Sequence, residues 1–183
     1  MGYRSAMKIG KITHLSLLAG LGLVAVSCQT TGGGEPARDV AVKVFPSDLA
    51  QDVRQLWAID ARTGEKLDPL IEGTSLSYKA RFSPSKAWLA VEDKVTESFT
   101  TVRLFHQSAM GGFRCIPDEQ FMPAVWERFR LQQSIPGEGA QSSTIVVDGW
   151  SRDESSLDLS VSIVLPDGRT ATGTVPVDLD RLK

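Results

Sequence analysis

The stretch Arg81–Val91, RFSPSKAWLAV, limits the fold of this 183-residue chain more than any other. An aromatic residue is followed by a Ser-Pro turn signal and then by Trp88, Leu89, Ala90 and Val91 in unbroken succession. Such a segment reads as strand, tight turn and second strand with large residues facing one way. A weaker copy, GWSRDESSLDL, lies at Gly149–Leu159. Phe82 answers to Trp150, Ser83 to Ser151, Leu89 to Leu157 and Val91 to Leu159, at a constant offset of 68 residues. The turn residues are Ser85-Lys86 in the first copy and Asp153-Glu154 in the second, with no glycine in either.

Around these copies the chain alternates short apolar runs with turn signals. Asp39–Phe45 places Val40, Val42 and Val44 on one side and reads as a strand closed by Pro46. Ser47 is placed to cap a short helix running to Val53. Leu56–Asp60, Ser77–Phe82, Ala87–Lys94 and Thr100–His106 read as strands, the last three as an antiparallel meander, with Leu67–Tyr78 irregular. Thr144–Trp150, Ser156–Leu165 and Thr170–Val177 read as three more, with a hairpin turn at Pro166-Asp167-Gly168. Thr170, Thr172 and Thr174 give the last strand one wet face, and Pro176 puts it at a sheet edge. Asp178–Lys183 reads as a frayed tail.

One helix interrupts the strands, within Pro117–Gln133. Pro123 fits best as its first residue, so the regular helix is expected from about Pro123 to Leu131. Val125 and Phe129 share its face, Phe121 leads into it, and its mixed charges point to packing on a sheet. The expected fold is therefore mainly β with a minor α part: two antiparallel blade-like meanders, Leu56–His106 and Thr144–Val177, packed together and covered by one α-helix.

The phrase aromatic-Ser-Pro followed by Leu89-Ala90-Val91 resembles the blade motif of TolB-like and WD40-like β-propellers. Gln55–Leu70, with its turn at Thr63-Gly64, is similar to the end of a preceding blade. The resemblance implies blade-like meanders. Ring closure needs four to eight blades, and this chain has room for about two, so a closed propeller is not expected.

The N-terminus carries a separate signal. Arg4, Lys8 and Lys11 form a basic region with no acid near it, Leu15–Val26 is apolar, and Ala25-Val26-Ser27-Cys28 follows. This is the layout of a secretory signal peptide, too short in its apolar run to span a membrane. Small residues before a cysteine resemble a bacterial lipobox, which implies diacylglyceryl transfer to Cys28, cleavage before it and acylation of the new amine. The expected organisation is a signal peptide over 1–27, a lipidated Cys28 and Gly-rich tether over 28–38, and a single β-rich domain over 39–183. Either Met1 or Met7 serves as the start. If the source is Gram-negative, the lipobox resemblance implies that Gln29, rather than Asp, after the cysteine favours the outer membrane.

Removing residues 1–27 leaves 17 basic and 22 acidic residues, a formal charge of −5. An acidic domain argues against nucleic-acid binding and against a polybasic membrane patch. With Cys28 acylated, Cys115 has no partner within the chain; it is then buried, paired between molecules or reactive, and burial is the expectation. His106 reads as a strand histidine, and Trp57, Trp88, Trp126 and Trp150 as core residues. Asp148, Asp153 and Asp158 recur at five-residue intervals without the EF-hand pattern and read as turn and strand-end residues. No catalytic, cofactor-binding or metal-binding residue is nominated, and no cofactor is expected. The expected role is a non-enzymatic binding or scaffolding module of the cell envelope, held to the membrane by its lipid and working with an envelope protein partner. The alternatives are an envelope hydrolase using carboxylates and a small-ligand carrier.

Overall fold

The computed structural model describes residues 39–47, 53–108, 112–135 and 140–182. The expected signal peptide, Cys28, the tether and the short helix after Ser47 lie outside these residues. The described chain is mainly β with one helix: β1 Val40–Pro46, β2 Arg54–Asp60, β3 Lys66–Gly73, β4 Ser77–Phe82, β5 Trp88–Thr96, β6 Phe99–Gln107, β7 Phe113–Ile116, α1 Asp118–Gln133, β8 Ser142–Trp150, β9 Ser156–Val164 and β10 Thr170–Asp178. No ring of blades forms among the described residues.

The strands make two sheets. The smaller is the antiparallel ribbon β1-β2-β3, and the larger runs β10-β9-β8-β6-β5-β4. The meanders β4–β6 and β8–β10 stand as expected, but the strand at Leu56–Asp60 leaves the first meander for the small sheet. The segment expected to be irregular, Leu67–Tyr78, supplies β3. Its Pro69 is tolerated because β3 is an edge strand with bulges on both sides of that pairing.

The meanders meet at a seam. β6 pairs with β8 in parallel only at Phe99–Thr100 against Ser143–Thr144. It then diverges, and β7 takes the place beside it from Leu104 to Gln107. Past the seam, the Val147 amide of β8 donates to the carboxylate of Glu92 at 3.1 Å. Glu92 is only 7% exposed, and Lys79 and Arg81 flank it at 3.4 and 3.7 Å. A buried acid thus satisfies a strand amide that has lost its neighbour.

β5 explains the unbroken apolar run in the sequence. Trp88 and Ala90 join one core, with α1, β6, β7 and the second meander, while Leu89 and Val91 join another, with Phe105, Leu56 and Ile71. A strand covered on both faces has no polar alternation to show. β9, buried on one face only, alternates strictly from Ser156 to Val164.

The helix differs from expectation at its start. It begins at Asp118, after Pro117, with Pro123 inside it. Asp118 and Glu119 lie in the first turn, where the helix dipole favours negative charge, and Phe121 adds a buried contact. Together these offset the hydrogen bond that Pro123 cannot donate. Phe121, Val125 and Phe129 face the core, and the helix ends at Ser134, whose left-handed conformation (φ 54°) lets its amide reach the Arg130 carbonyl. The C-terminal half crosses β10 at Gly173, where a Cβ would come within 3.4 Å of the Phe129 ring. The expected frayed tail is instead docked: Leu179 and Leu182 are buried around a short helical turn at Asp180–Leu182.

Candidate functional site

The two sequence copies become one structural feature. In each turn the first serine closes the loop in the same way. Ser83 N–H donates to Trp88 O at 2.9 Å, and Ser151 N–H donates to Ser156 O at 2.9 Å. The Trp88 amide donates to Ser83 Oγ at 3.2 Å, and the Ser156 amide to Ser151 Oγ at 2.9 Å. Lys86 and Glu154, at the glycine-free positions, both take left-handed backbone, with φ 63° and 56°. That conformation costs a non-glycine residue about 1–2 kcal/mol. Each side chain makes a compensating link. Lys86 pairs with Asp39 at the start of β1. Glu154 reaches the other turn, accepting from the Ser85 amide at 2.6 Å and the Ser85 hydroxyl at 2.5 Å.

The equivalent turns are thereby clasped to each other, and an open cleft of about 340 Å³ lies between them. Trp88 and His106, paired across β5 and β6 with ring centroids 4.4 Å apart, line it together with Ser85, Ala87, Arg152, Asp153 and Glu154. Asp153 accepts from the Ser151 and Ser155 hydroxyls at 2.7 and 2.8 Å and from the Ser155 amide at 3.1 Å. These bonds, the Ser151 hydroxyl first, hold its carboxyl down to about 2. Burial would raise Glu154, but the Ser85 and Ser83 hydroxyls and the Ser85 amide outweigh it and keep the carboxyl below the ordinary glutamate value. Both acids are therefore anions at neutral pH. Arg152 stands exposed between them in sequence and supplies a guanidinium at the rim.

The residues nominated for other roles distribute as follows. Asp153 is a turn residue, as expected; Asp148 sits at a bulge in β8 and Asp158 pairs with Pro176 on the edge strand. Among the described residues no cluster of His, Cys, Asp and Glu has the arrangement to hold a metal ion. Cys115 contradicts its expected burial: it is exposed on the short strand β7, its thiol 3.6 Å from the Ile116 carbonyl. Partial desolvation first, and the Asp118 carboxylate second, push that thiol up. Cys115 pairs with Phe105, so alternation along the strands sends its side chain to the sheet face opposite His106. The thiol and the imidazole cannot form a nucleophile–base pair. Of the tryptophans, Trp88 alone is fully in the core; Trp126 and Trp150 pack partly against it, and Trp57 belongs to neither core.

The sequence points at the two turns but not at their contact. His106 and Arg152 became cleft residues only through strand pairing, and a serine facing a glutamate 69 positions away carries no local signal. In comparison with known proteins, no family matches this chain and no curated protein is significantly similar to it. Among the described residues no helix is long and apolar enough to cross a membrane.

Proposed function

We propose that this protein is a lipid-anchored protein of the cell envelope that acts as a non-enzymatic binding module, with the clasped turns as its contact surface. The observation that carries this reading is the Glu154–Ser85 clasp. It pre-organises two loops into one rigid, open, polar surface, and pre-organisation lowers the entropy cost of binding a partner. An open cleft with an arginine at the rim suits a segment of another protein, since arginine is a favoured anchor at interfaces.

A carboxylate hydrolase has less support. It needs two acids with separated environments, one of them protonated. The two acids in this cleft are both held ionised by serine donors. A small-ligand carrier needs space between sheets. Leu89, Val91 and Phe105 fill that layer, each at most 1% exposed. Anchoring rests on the signal peptide and the small residues before Cys28.

The test is photo-cross-linking in the native envelope from a probe at position 152, with Cys28→Ala as the control for anchoring. A discrete protein adduct, diminished when Glu154→Ala opens the clasp, is the expected result. A lipidated wild-type protein that gives no adduct from position 152 would overturn the binding-module reading. A wild-type protein that is neither lipidated nor membrane-bound would overturn the anchoring reading.

A further inference from the structure

The small sheet carries a second surface, on the face turned away from the core. Val42, Leu56 and Ile71 pack in one cluster with Leu89 and Val91 of β5 and Phe105 of β6. The strands alternate, so Lys43 and Phe45 of β1 and Gln55 and Trp57 of β2 share the outer face. Neither Phe45 nor Trp57 belongs to either core. Lys66 from β3 lies over both rings, its Nζ 4.4 Å from the Phe45 centroid and 4.7 Å from that of Trp57. Lys43 lies 5.4 Å from the Phe45 centroid. Trp57 Nε1 donates to Gln55 Oε1 at 3.1 Å, which fixes the indole on the sheet. Among the described residues, Lys43 and Lys66 are in no ion pair with a carboxylate, whereas Lys79, Lys86 and Lys94 are.

We propose that this outer face of β1–β3 is a membrane-contact surface that rests against anionic phospholipid headgroups. The inference depends on the anchoring reading, because chain length is what brings the face to the bilayer. Eleven residues, Cys28–Arg38, separate the lipid site from the start of the described domain. Even fully stretched they hold residue 39 within about 40 Å of the bilayer. A domain of this size has a radius of gyration of about 15 Å, so the tether is no longer than the domain is wide. The sheet that begins with β1 is the layer joined to that tether, and Lys86 pins Asp39 to the body.

Charge selects the orientation. The chain from Cys28 onward is acidic, with 22 acidic against 17 basic residues, so most of its surface is repelled by an anionic leaflet. The outer face offers two ammonium groups over two aromatic rings, against one carboxylate, Glu72, which pairs opposite Gln55 on the same face. That is the chemistry of the bilayer interface, where tryptophan sits among headgroups and lysine stems extend to phosphate. Each lysine near an anionic surface is worth roughly a fivefold preference, and Glu72 offsets about one of the two, so the face as a whole gives on the order of fivefold. That is too weak to recruit a free protein, but enough to orient one already tethered.

The experiment uses the full mature chain, lipidated at Cys28 and reconstituted into phosphatidylethanolamine vesicles with about one quarter phosphatidylglycerol and brominated acyl chains. Trp fluorescence of the wild type is compared with Trp57→Phe and with the surface double variant Lys43→Gln/Lys66→Gln, both checked for native circular dichroism. The expected result is bromine quenching in the wild type, loss of the quenched component in Trp57→Phe, and its reduction in the double variant and at high salt. If the wild type floats with the vesicles but Trp57 is not quenched, the membrane-contact proposal is wrong while the anchor stands. If Trp57 is shielded from acrylamide in native envelopes but not in vesicles, the occupant is a protein, and the proposal is again overturned. If the wild type does not float with the vesicles, the anchor has failed first, and the membrane-contact proposal, which needs the tether, fails with it.

Discussion

Removing Arg103 should unfold this domain more readily than removing its partner. Asp93 is fully buried, at 0% exposure, and its Oδ2 accepts from Arg103 Nε at 2.8 Å. Its Oδ1 already has no hydrogen-bond partner. Arg103 is 38% exposed and keeps part of its hydration. At an effective dielectric of 20, two charges this close attract by about 6 kcal/mol before desolvation. Deleting one member of a buried pair costs about 3–5 kcal/mol, because the other charge is left uncompensated. Solvent reaching Arg103 discounts that figure, so Arg103→Leu should cost about 3 kcal/mol. Asp93→Val leaves an arginine that can turn to water, and should cost about 1–2 kcal/mol, close to one charged hydrogen bond. The double variant should recover most of the Arg103→Leu loss. Urea unfolding followed by Trp fluorescence reads all four proteins, with the slope m held constant as the check on two-state behaviour. If Arg103→Leu costs less than Asp93→Val, the carboxylate reaches water and the reasoning about its burial is refuted.

Acid should loosen the clasped turns. Asp153 and Glu154 both have folded-state values below their ordinary 3.8 and 4.5. Depressed carboxylates add stability above the unfolded value and lose it as pH falls through the folded one. The urea midpoint should therefore decline from about pH 4.5 toward 2, and Asp153→Asn should flatten that decline. Gly173→Val should destabilise by about 1–3 kcal/mol through overpacking, since Phe129, Gln132 and Gln133 crowd that position; a thermal melt measures it, and an unchanged midpoint would mean that α1 shifts freely on β10. In a Cys28→Ser background, Cys115 should react with a maleimide in the native state without denaturant. Its rate should climb only above the usual thiol range, and Asp118→Asn should speed it near neutral pH.

Much of the architecture could be read in the chain because strand, turn and alternation are local properties. Ser156–Val164 alternates since one face is wet, and Pro166-Asp167-Gly168 turns since Gly168 adopts φ 81°. The structure departs from local chemistry where tertiary contacts override it. Pro123 looked like a helix start, but buried Phe121 and the first-turn acids carry the helix back to Asp118. Pro69 looked like a loop residue, but an edge strand with bulges accommodates it. Cys115 looked buried because cysteine usually is, yet β7 is a short strand that leaves it exposed.

The sequence alone determined the hairpins, the helix and the equivalence of the turns at Ser83 and Ser151, because hydrogen bonds two to five residues apart define them. The lipid-site expectation is likewise a property of a short linear motif. Only the tertiary structure decided that the two turns clasp across 69 positions, that β5 is covered on both faces, and that His106 and Cys115 lie on opposite sides of a sheet. Those outcomes depend on strand order and register, which are fixed by the sum of many weak packing energies.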